Sequence, residues 1–269
     1  MSPTAPASIA QPVVALQHRR SVDHLTSGQL ASVRQAITAT QAISDERGYQ
    51  YWAGVHGLPL PMYCQHGTSL FLPWHRAYLC LFEKALQDVV PGTTLAWWDW
   101  TTGRDQGVPA VFAEPHVSGA PNPLFSSPIQ LSGREPGGPA VTERKPGERE
   151  APPLPDPARI EQILGLGDFL DFQTQLEDVH NGVHEWVAGT MGDIATAAYD
   201  PLFWAHHAMI DRLWRLWQVA HPAASPPANL LGQALPPFPM TVSQTLDVTA
   251  LGYDYAASSA AAPGPRAAS

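Results

Sequence analysis

Apolar residues recur at helical spacing in four separate stretches, and nowhere do they alternate over any length with the period of two that a half-buried strand would show. Thr26-x-x-Gln29 has the form of a capping box and is followed on one face by Leu30, Val33 and Ile37, so a first helix is predicted over 28–46, ahead of Gly48. Pro73 suits a first helical turn, and Tyr78, Leu79, Phe82 and Leu86 mark the buried face of a second helix from Trp74 to about Asp88. A third runs from Phe169 and Phe172 through Leu176, Val179, Val183 and Val187 to Gly189, a C′ position. Asp200 and Pro201 supply an N-cap and an N1 proline for a fourth, on which Phe203, His207, Ile210, Trp214 and Trp217 share one face until Pro222 stops it.

The connections differ in kind. The aromatic and glycine-rich run from Tyr49 to Tyr63 carries His56 on a loop or short helix. Between Thr93 and Ile160, Trp97-Trp98-Asp99-Trp100 gives way to a stretch dense in Pro and Gly with mixed charges from Glu143 to Glu150; this is expected to be a covering layer fixed by proline turns. Residues 1–16 are Pro- and Ala-rich and are expected to be extended or disordered, and the Ala, Ser, Gly and Pro after Tyr255 cannot bury enough apolar surface to order themselves. The fold class expected is mainly all-α, one domain over 1–255 with a disordered tail over 256–269, and the helix count allows a four-helix bundle wrapped in long Pro/Gly-rich loops.

Composition narrows the function. With 269 residues, 44% hydrophobic and nine Trp, the chain can build a substantial core. A formal net charge of −9 argues against nucleic acid or an anionic membrane as partner and leaves room for a neutral small molecule. The first residues lack a basic segment leading into an apolar one, and no run approaches a membrane span, so the chain reads as soluble and cytoplasmic. Two cysteines, Cys64 and Cys80, exclude a disulfide framework and leave a single bridge between them open.

The histidines change the picture most. His180 and His184 lie i, i+4 on one helix face, and His207 faces inward among Phe203, Ile210 and Trp214, where an uncompensated imidazole is costly. Upstream, Cys64-Gln65-His66 and Pro73-Trp74-His75 offer the same number once His56 is counted. Two sets of three imidazoles suit copper, with zinc, iron and nickel as weaker options. A zinc-protease helix would carry Glu where Asn181 stands, and a di-iron bundle would need a second Glu-x-x-His unit beside Glu177-x-x-His180. His206 points about a hundred degrees around the helix from His207 and is assigned a supporting or packing role. His18, His24, His116 and His221 fall at surface or loop positions.

These motifs, with Arg20-Ser21-Val22-Asp23-His24-Leu25-Thr26 near the start and Gly252-Tyr253-Asp254-Tyr255 near the end, resemble the type-3 copper family of tyrosinases, catechol oxidases and molluscan-type hemocyanins. The resemblance implies that His56, His66 and His75 hold one copper and His180, His184 and His207 a second, with O2 as co-substrate and a small phenolic substrate. It implies an oxidase of phenolic metabolism, melanin formation included, that hydroxylates monophenols and oxidises o-diphenols to o-quinones. The alternatives are a catechol or o-aminophenol oxidase without monophenolase activity, or a hemocyanin-like O2-binding protein. Cys64 matches the Cys-x-His arrangement that forms a thioether to the histidine, here His66. Glu177 and Asn181 match positions that hold a proton-accepting water, while Glu185 and Ile194 are expected to shape substrate entry. The lid domain of fungal and plant proenzymes is expected to be absent, and bacterial members often use a separate copper-delivering helper protein.

Overall fold

The computed structural model describes residues 16–58, 61–101, 107–130, 141–148 and 151–257. The stretch over 1–16 and the tail over 256–269 therefore lie almost wholly outside the described residues, as does part of the Pro/Gly-rich covering stretch. In chain order the elements are β1 (Gln17–Ser21), α1 (Ser27–Gln41), α2 (Tyr49–His56), α3 (Phe71–Val89), β2 (Ala96–Trp97), α4 (Ala110–Ala113), β3 (His116–Val117), β4 (Ala120–Pro121), α5 (Pro157–Leu164), α6 (Phe169–Val187), α7 (Pro201–Ala220) and β5 (Tyr253–Tyr255).

The cap signals at Thr26 and Asp200 act as expected, Asp168 adds one that the pattern did not mark, and α3 starts at Phe71, three residues ahead of the expected Trp74. The Thr26 hydroxyl accepts the Gln29 N–H while the Gln29 side chain accepts the Thr26 N–H, and α1 starts there. It stops at Gln41, short of 46, because Asp45 turns its carboxylate onto the Arg47 N–H and so favours a turn over another helical residue. Asp168 caps α6 through the Leu170 and Asp171 N–H groups, and Asp200 caps α7 through the Leu202 N–H with Pro201 at N1.

α7 is buried all round from Pro201 to Trp214, the signature of a central helix. Around it stand α3, α6 and the eight-residue α2, and these four carry every histidine of the two predicted triads except His66. The helix predicted over 28–46 carries none of them; α1 packs against α3 and α2. β1 pairs in parallel with β2 (Arg20 opposite Ala96) and with β5 (Gln17 opposite Tyr253), tying the two ends of the described chain together. These strands have two to five residues, too few to leave a period-two pattern.

The covering stretch is held differently from the expectation. Arg144 is the anchor: its guanidinium grips the Asp200 carboxylate at 2.6 Å and donates to the Phe112 and Leu124 carbonyls. A charge-assisted fork fixes this layer where prolines alone would only have bent it. Next to it, Gly189 has φ +55, and a Cβ there would lie 2.2 Å from the Glu143 carbonyl oxygen, so only glycine lets the 141–148 segment close onto the end of α6.

Candidate metal centre

α2 ends on His56, α3 places His75 one turn from its start, and α6 and α7 contribute His180, His184 and His207. His66 sits on the loop between α2 and α3. The rings of His56, His66 and His75 form a triangle with centroid separations of 5.2, 5.6 and 5.0 Å. A second triangle, His180, His184 and His207, has separations of 4.5, 4.7 and 5.5 Å. The two meet where His75 stacks on His207 at 4.7 Å.

In the second triangle, the Nε2 atoms of His180 and His184 come within 3.1 and 3.2 Å of His207 Nε2. Their outer nitrogens are tethered: His184 Nδ1 to the Met191 carbonyl at 2.7 Å and His180 Nδ1 to Asn181 Oδ1 at 3.0 Å. His75 Nδ1 is likewise held by the Phe71 carbonyl at 2.8 Å. An acceptor at Nδ1 puts the proton there and leaves the Nε2 lone pair aimed inward, as metal ligation requires.

Unpartnered buried nitrogens test the fit. Both ring nitrogens of His56, Nδ1 of His66, Nε2 of His75 and Nδ1 of His207 have no hydrogen-bond partner. Orphaned buried polar atoms are rare and call for an explanation. Two metal ions would take one nitrogen of each ring; the second nitrogen of His56, and Nδ1 of His207 when Nε2 ligates, stay without a partner. Burial, reinforced by neighbouring histidines, holds the pKa of His56, His75, His180 and His207 well below the ordinary value, and burial lowers His66 and His184 to about 4. All six are therefore neutral at pH 7, the form that binds copper.

His206 lies within 4.8 Å of the second triangle's ligand atoms, so distance alone would admit it as a further ligand. Its Nδ1 accepts the Trp100 indole N–H at 3.2 Å, which leaves the proton on Nε2, a buried nitrogen that has no hydrogen-bond partner either. It instead stacks on His180 at 5.1 Å and 18°. Sequence reasoning placed His206 but missed Trp100. It also missed Gln173, whose only signal was a polar residue in an apolar helical stripe.

The remaining predicted site residues scatter around this centre. A cavity of about 260 Å³ reaches His56, His66, His180 and His184, with Asn181, Glu185 and Ile194 exposed at its mouth and Met191, Gly192 and Ala197 along one wall. Gly57 permits that wall, since a Cβ there would lie 2.2 Å from the Ala195 carbonyl oxygen. Glu177 is not among the lining residues; it is buried behind them, with Oε1 accepting the Gly67 N–H at 2.6 Å, and desolvation raises its pKa. Cys64 Sγ lies within 4.8 Å of ring nitrogens of His56 and His66. Both cysteines are free, which closes the disulfide left open by the sequence; Cys80 packs instead with Val248 and Tyr253.

Comparison with known proteins agrees with this geometry. The family profile described as the common central domain of tyrosinase matches residues 46–220. A cuttlefish hemocyanin (units G and H, Sepia officinalis) is 31% identical over 230 residues, covering 78% of this chain and 39% of its own length. A Streptomyces glaucescens tyrosinase is 35% identical over 185 residues, 59% of this chain and 66% of that one. Among solved structures, an octopus hemocyanin functional unit superimposes with a TM-score of 0.76 at 29% identity over 89% of this chain and 68% of its own. A Burkholderia thailandensis tyrosinase has the same fold, with a TM-score of 0.73 at 24% identity over 92% and 76% of the two chains. Against the long hemocyanin chains it matches, this one spans less than half their length. The histidine triangles and these matches together place the chain in the tyrosinase central-domain family of type-3 copper proteins.

Proposed function

We propose that this chain is an oxidase that uses O2 to convert phenols to o-quinones. The observation that carries the reading is the cavity, which reaches histidines of both triangles and opens to solvent at Asn181, Glu185 and Ile194, so an aromatic ring has a route to the metal centre. When bound by His56, His66 and His75 and by His180, His184 and His207, the two copper ions supply the redox chemistry with O2. The protein's part is to keep the imidazoles neutral, to exclude bulk water with Phe203, which stacks on His207 at 4.0 Å, and to move a proton.

That proton comes from the phenol, because hydroxylation needs the phenolate whereas a catechol need only surrender two electrons. Glu177 is suited to accept it through water: its pKa is raised, and one of its oxygens is left over after binding Gly67. Asn181 uses its carbonyl to orient His180, which leaves its amide free to hold that water at the cavity mouth. Ile194, 45% exposed, forms the gate beside it. Cys64, whose Sγ lies within 4.8 Å of a His66 ring nitrogen, would form a thioether to the His66 ring, a bond made with loss of two hydrogens for which O2 would be the two-electron oxidant, reduced to hydrogen peroxide; a mass lower by two hydrogens and protection of Cys64 from alkylation would report it.

Hemocyanin relatives match as well as tyrosinases do, which makes reversible O2 binding the second reading. Copper loading followed by O2 uptake with a monophenol and with a catechol separates them. Uptake with both is expected. An intense near-ultraviolet band on oxygenation without uptake on either substrate would turn the reading to a carrier. Uptake with catechol alone would place the chain with catechol or aminophenol oxidases.

A further inference from the structure

His66 is the one predicted ligand that no helix holds. Its loop, described from Pro61 to Leu70, contains no fully buried residue, and only Tyr63, Cys64 and Leu70 pack in part against the core. Within the loop, the Gln65 side chain bonds only to Tyr63 and Thr68, its own neighbours. Apart from the Tyr63 N–H on the Val55 carbonyl of α2 at 3.4 Å, the hydrogen bonds that reach it from elements other than the adjoining α3 come from α6. On α6, Gln173 and Glu177 stand i, i+4 on a single face, at 3% and 7% exposure. Glu177 Oε1 accepts the Gly67 N–H at 2.6 Å; Gln173 Nε2 donates to the Thr68 carbonyl at 3.1 Å and Gln173 Oε1 accepts the Leu72 N–H at 3.3 Å. Leu72 lies in the first turn of α3, whose N–H groups have no partner within the helix, so Gln173 also caps the helix that carries His75. One and two turns further along α6 come His180 and His184, and His180 stacks on the His66 ring at 5.6 Å and 25°.

We propose that Gln173 and Glu177 are positioning residues that clamp the His66 loop and the start of α3 onto α6, so that the helix supplying two ligands of the second copper also sets the geometry of the first. Glu177 then has two separable tasks: one oxygen serves the clamp and the other serves proton transfer. The proposal rests on the two-copper reading above but not on turnover.

The test uses Gln173→Leu, Glu177→Leu and Glu177→Gln in the full chain, with copper content after dialysis, chelator competition, and hydrogen exchange of residues 64–72 in the copper-free protein. Removing an outer-shell hydrogen bond costs about 10–100-fold in metal affinity. Both Leu variants should therefore lose copper selectively from the first triangle, lose the near-ultraviolet band and exchange faster over 64–72. Glu177→Gln retains an oxygen for the Gly67 N–H and should keep both coppers and the exchange protection. Ile163→Ala, a core truncation on α5, should lower the melting temperature without changing copper content and so controls for general destabilisation. Should the Leu variants fail to fold, Gln173→Glu, which keeps the acceptor for Leu72 and loses the donor to Thr68, should show an intermediate loss of affinity. Wild-type copper affinity in the Leu variants or in Gln173→Glu would overturn the proposal, as would equal loss from both sites, or loss in Ile163→Ala. A wild type that holds two coppers but turns over neither phenol would overturn the oxidase reading and leave the clamp standing.

Discussion

Two buried polar clusters lie side by side on α3 and α7, and they are built on opposite principles. His75 and His207 form one; Arg76 and Asp211, one residue and one turn further on, form the other. In the first, His75 Nε2 and His207 Nδ1 have no hydrogen-bond partner and burial keeps the rings uncharged. In the second, Asp211 accepts from Arg76, from Arg19 at 3.1 Å, and from the Tyr253 and Tyr255 hydroxyls. Arg76 also donates to Gln218 and to the Thr245 carbonyl and lies 3.5 Å from the Trp214 ring centroid, while Arg19 pairs with Glu83 at 2.8 Å. Burial pushes the Asp211 pKa up, but the two guanidinium groups outweigh it and hold the carboxyl below its ordinary value. The second cluster leaves one nitrogen, Arg19 Nη2, without a partner, but its charges are paired once the chain folds. The first, at equal depth, gathers neutral rings with no charge partner, which agrees with a metal centre there.

The contrast breaks if the two clusters respond alike to truncation. Asp211→Ala strands two buried guanidinium groups and should destabilise the copper-free fold by ~3–5 kcal/mol, read from denaturant unfolding. His207→Ala removes a neutral ring that forms no charged pair; it should cost the copper-free protein clearly less, yet abolish the near-ultraviolet band and oxidase activity together. Persistence of band and activity would remove His207 from the second triangle.

Acid should separate the clusters too. Unfolded histidines take up protons near pH 6.5, whereas His66 and His184 in the fold resist until about 4 and the others to lower values. The unfolded state then binds more protons, so the copper-free protein should lose stability steadily as pH falls from about 6.5 to about 4. Asp211 also has a depressed pKa, and its contribution is lost only below about 4, where an ordinary aspartate protonates. A melting temperature unchanged between pH 7.5 and 4.5 would show that the histidines are not held neutral.

How much of this could be read in advance follows from how each feature is encoded. Five of the six predicted ligands stand on helices, and four of those helical positions follow from periodicity, because a 3.6-residue pattern states which side faces in. The fifth, His56, ends a helix of eight residues containing Gly54, too short to leave a pattern. The clamp was invisible because Gln173 acquires its meaning only from a loop about a hundred residues earlier. Likewise Tyr253 and Tyr255 stood out as a signature, but nothing local connects them to Asp211 and Arg19. Arg144 sat within an unremarkable run of mixed charge, and only its partner Asp200, the cap of α7, explains it. Local rules reach as far as one element; contacts that fix loops between elements lie beyond them.

At the cavity mouth beside the histidines, Asn181→Leu sharpens the division between holding copper and moving protons. General-base catalysis is typically worth ~10²–10⁴-fold, so monophenol hydroxylation should fall at least about tenfold further than catechol oxidation, at constant copper content. Equal loss of both activities would mean that the Asn181 carbonyl matters only for orienting His180.

The smallest effect is expected at the rim, where solvent weakens what burial strengthens at Asp211. The histidines lining the cavity are neutral, so Glu185 is the one charged residue among those that line it, and it is exposed. Its carboxylate should repel phenols that carry a carboxylate and attract those that carry an amine, without touching the reacting atoms. Exposed charge pairs are worth about 0.2–1 kcal/mol, so Glu185→Gln should lower KM for an acidic phenol and raise it for a cationic one by roughly 1.5- to 5-fold each. A neutral phenol should be unaffected, and kcat for all three should hold. Because the Debye length is ~8 Å at 0.15 M salt, added salt should narrow the wild type's preference toward that of Glu185→Gln. A preference unaffected by salt and by the substitution would mean that the wall formed by Met191, Ile194 and Ala197 selects by shape, and that charge at the mouth plays no part.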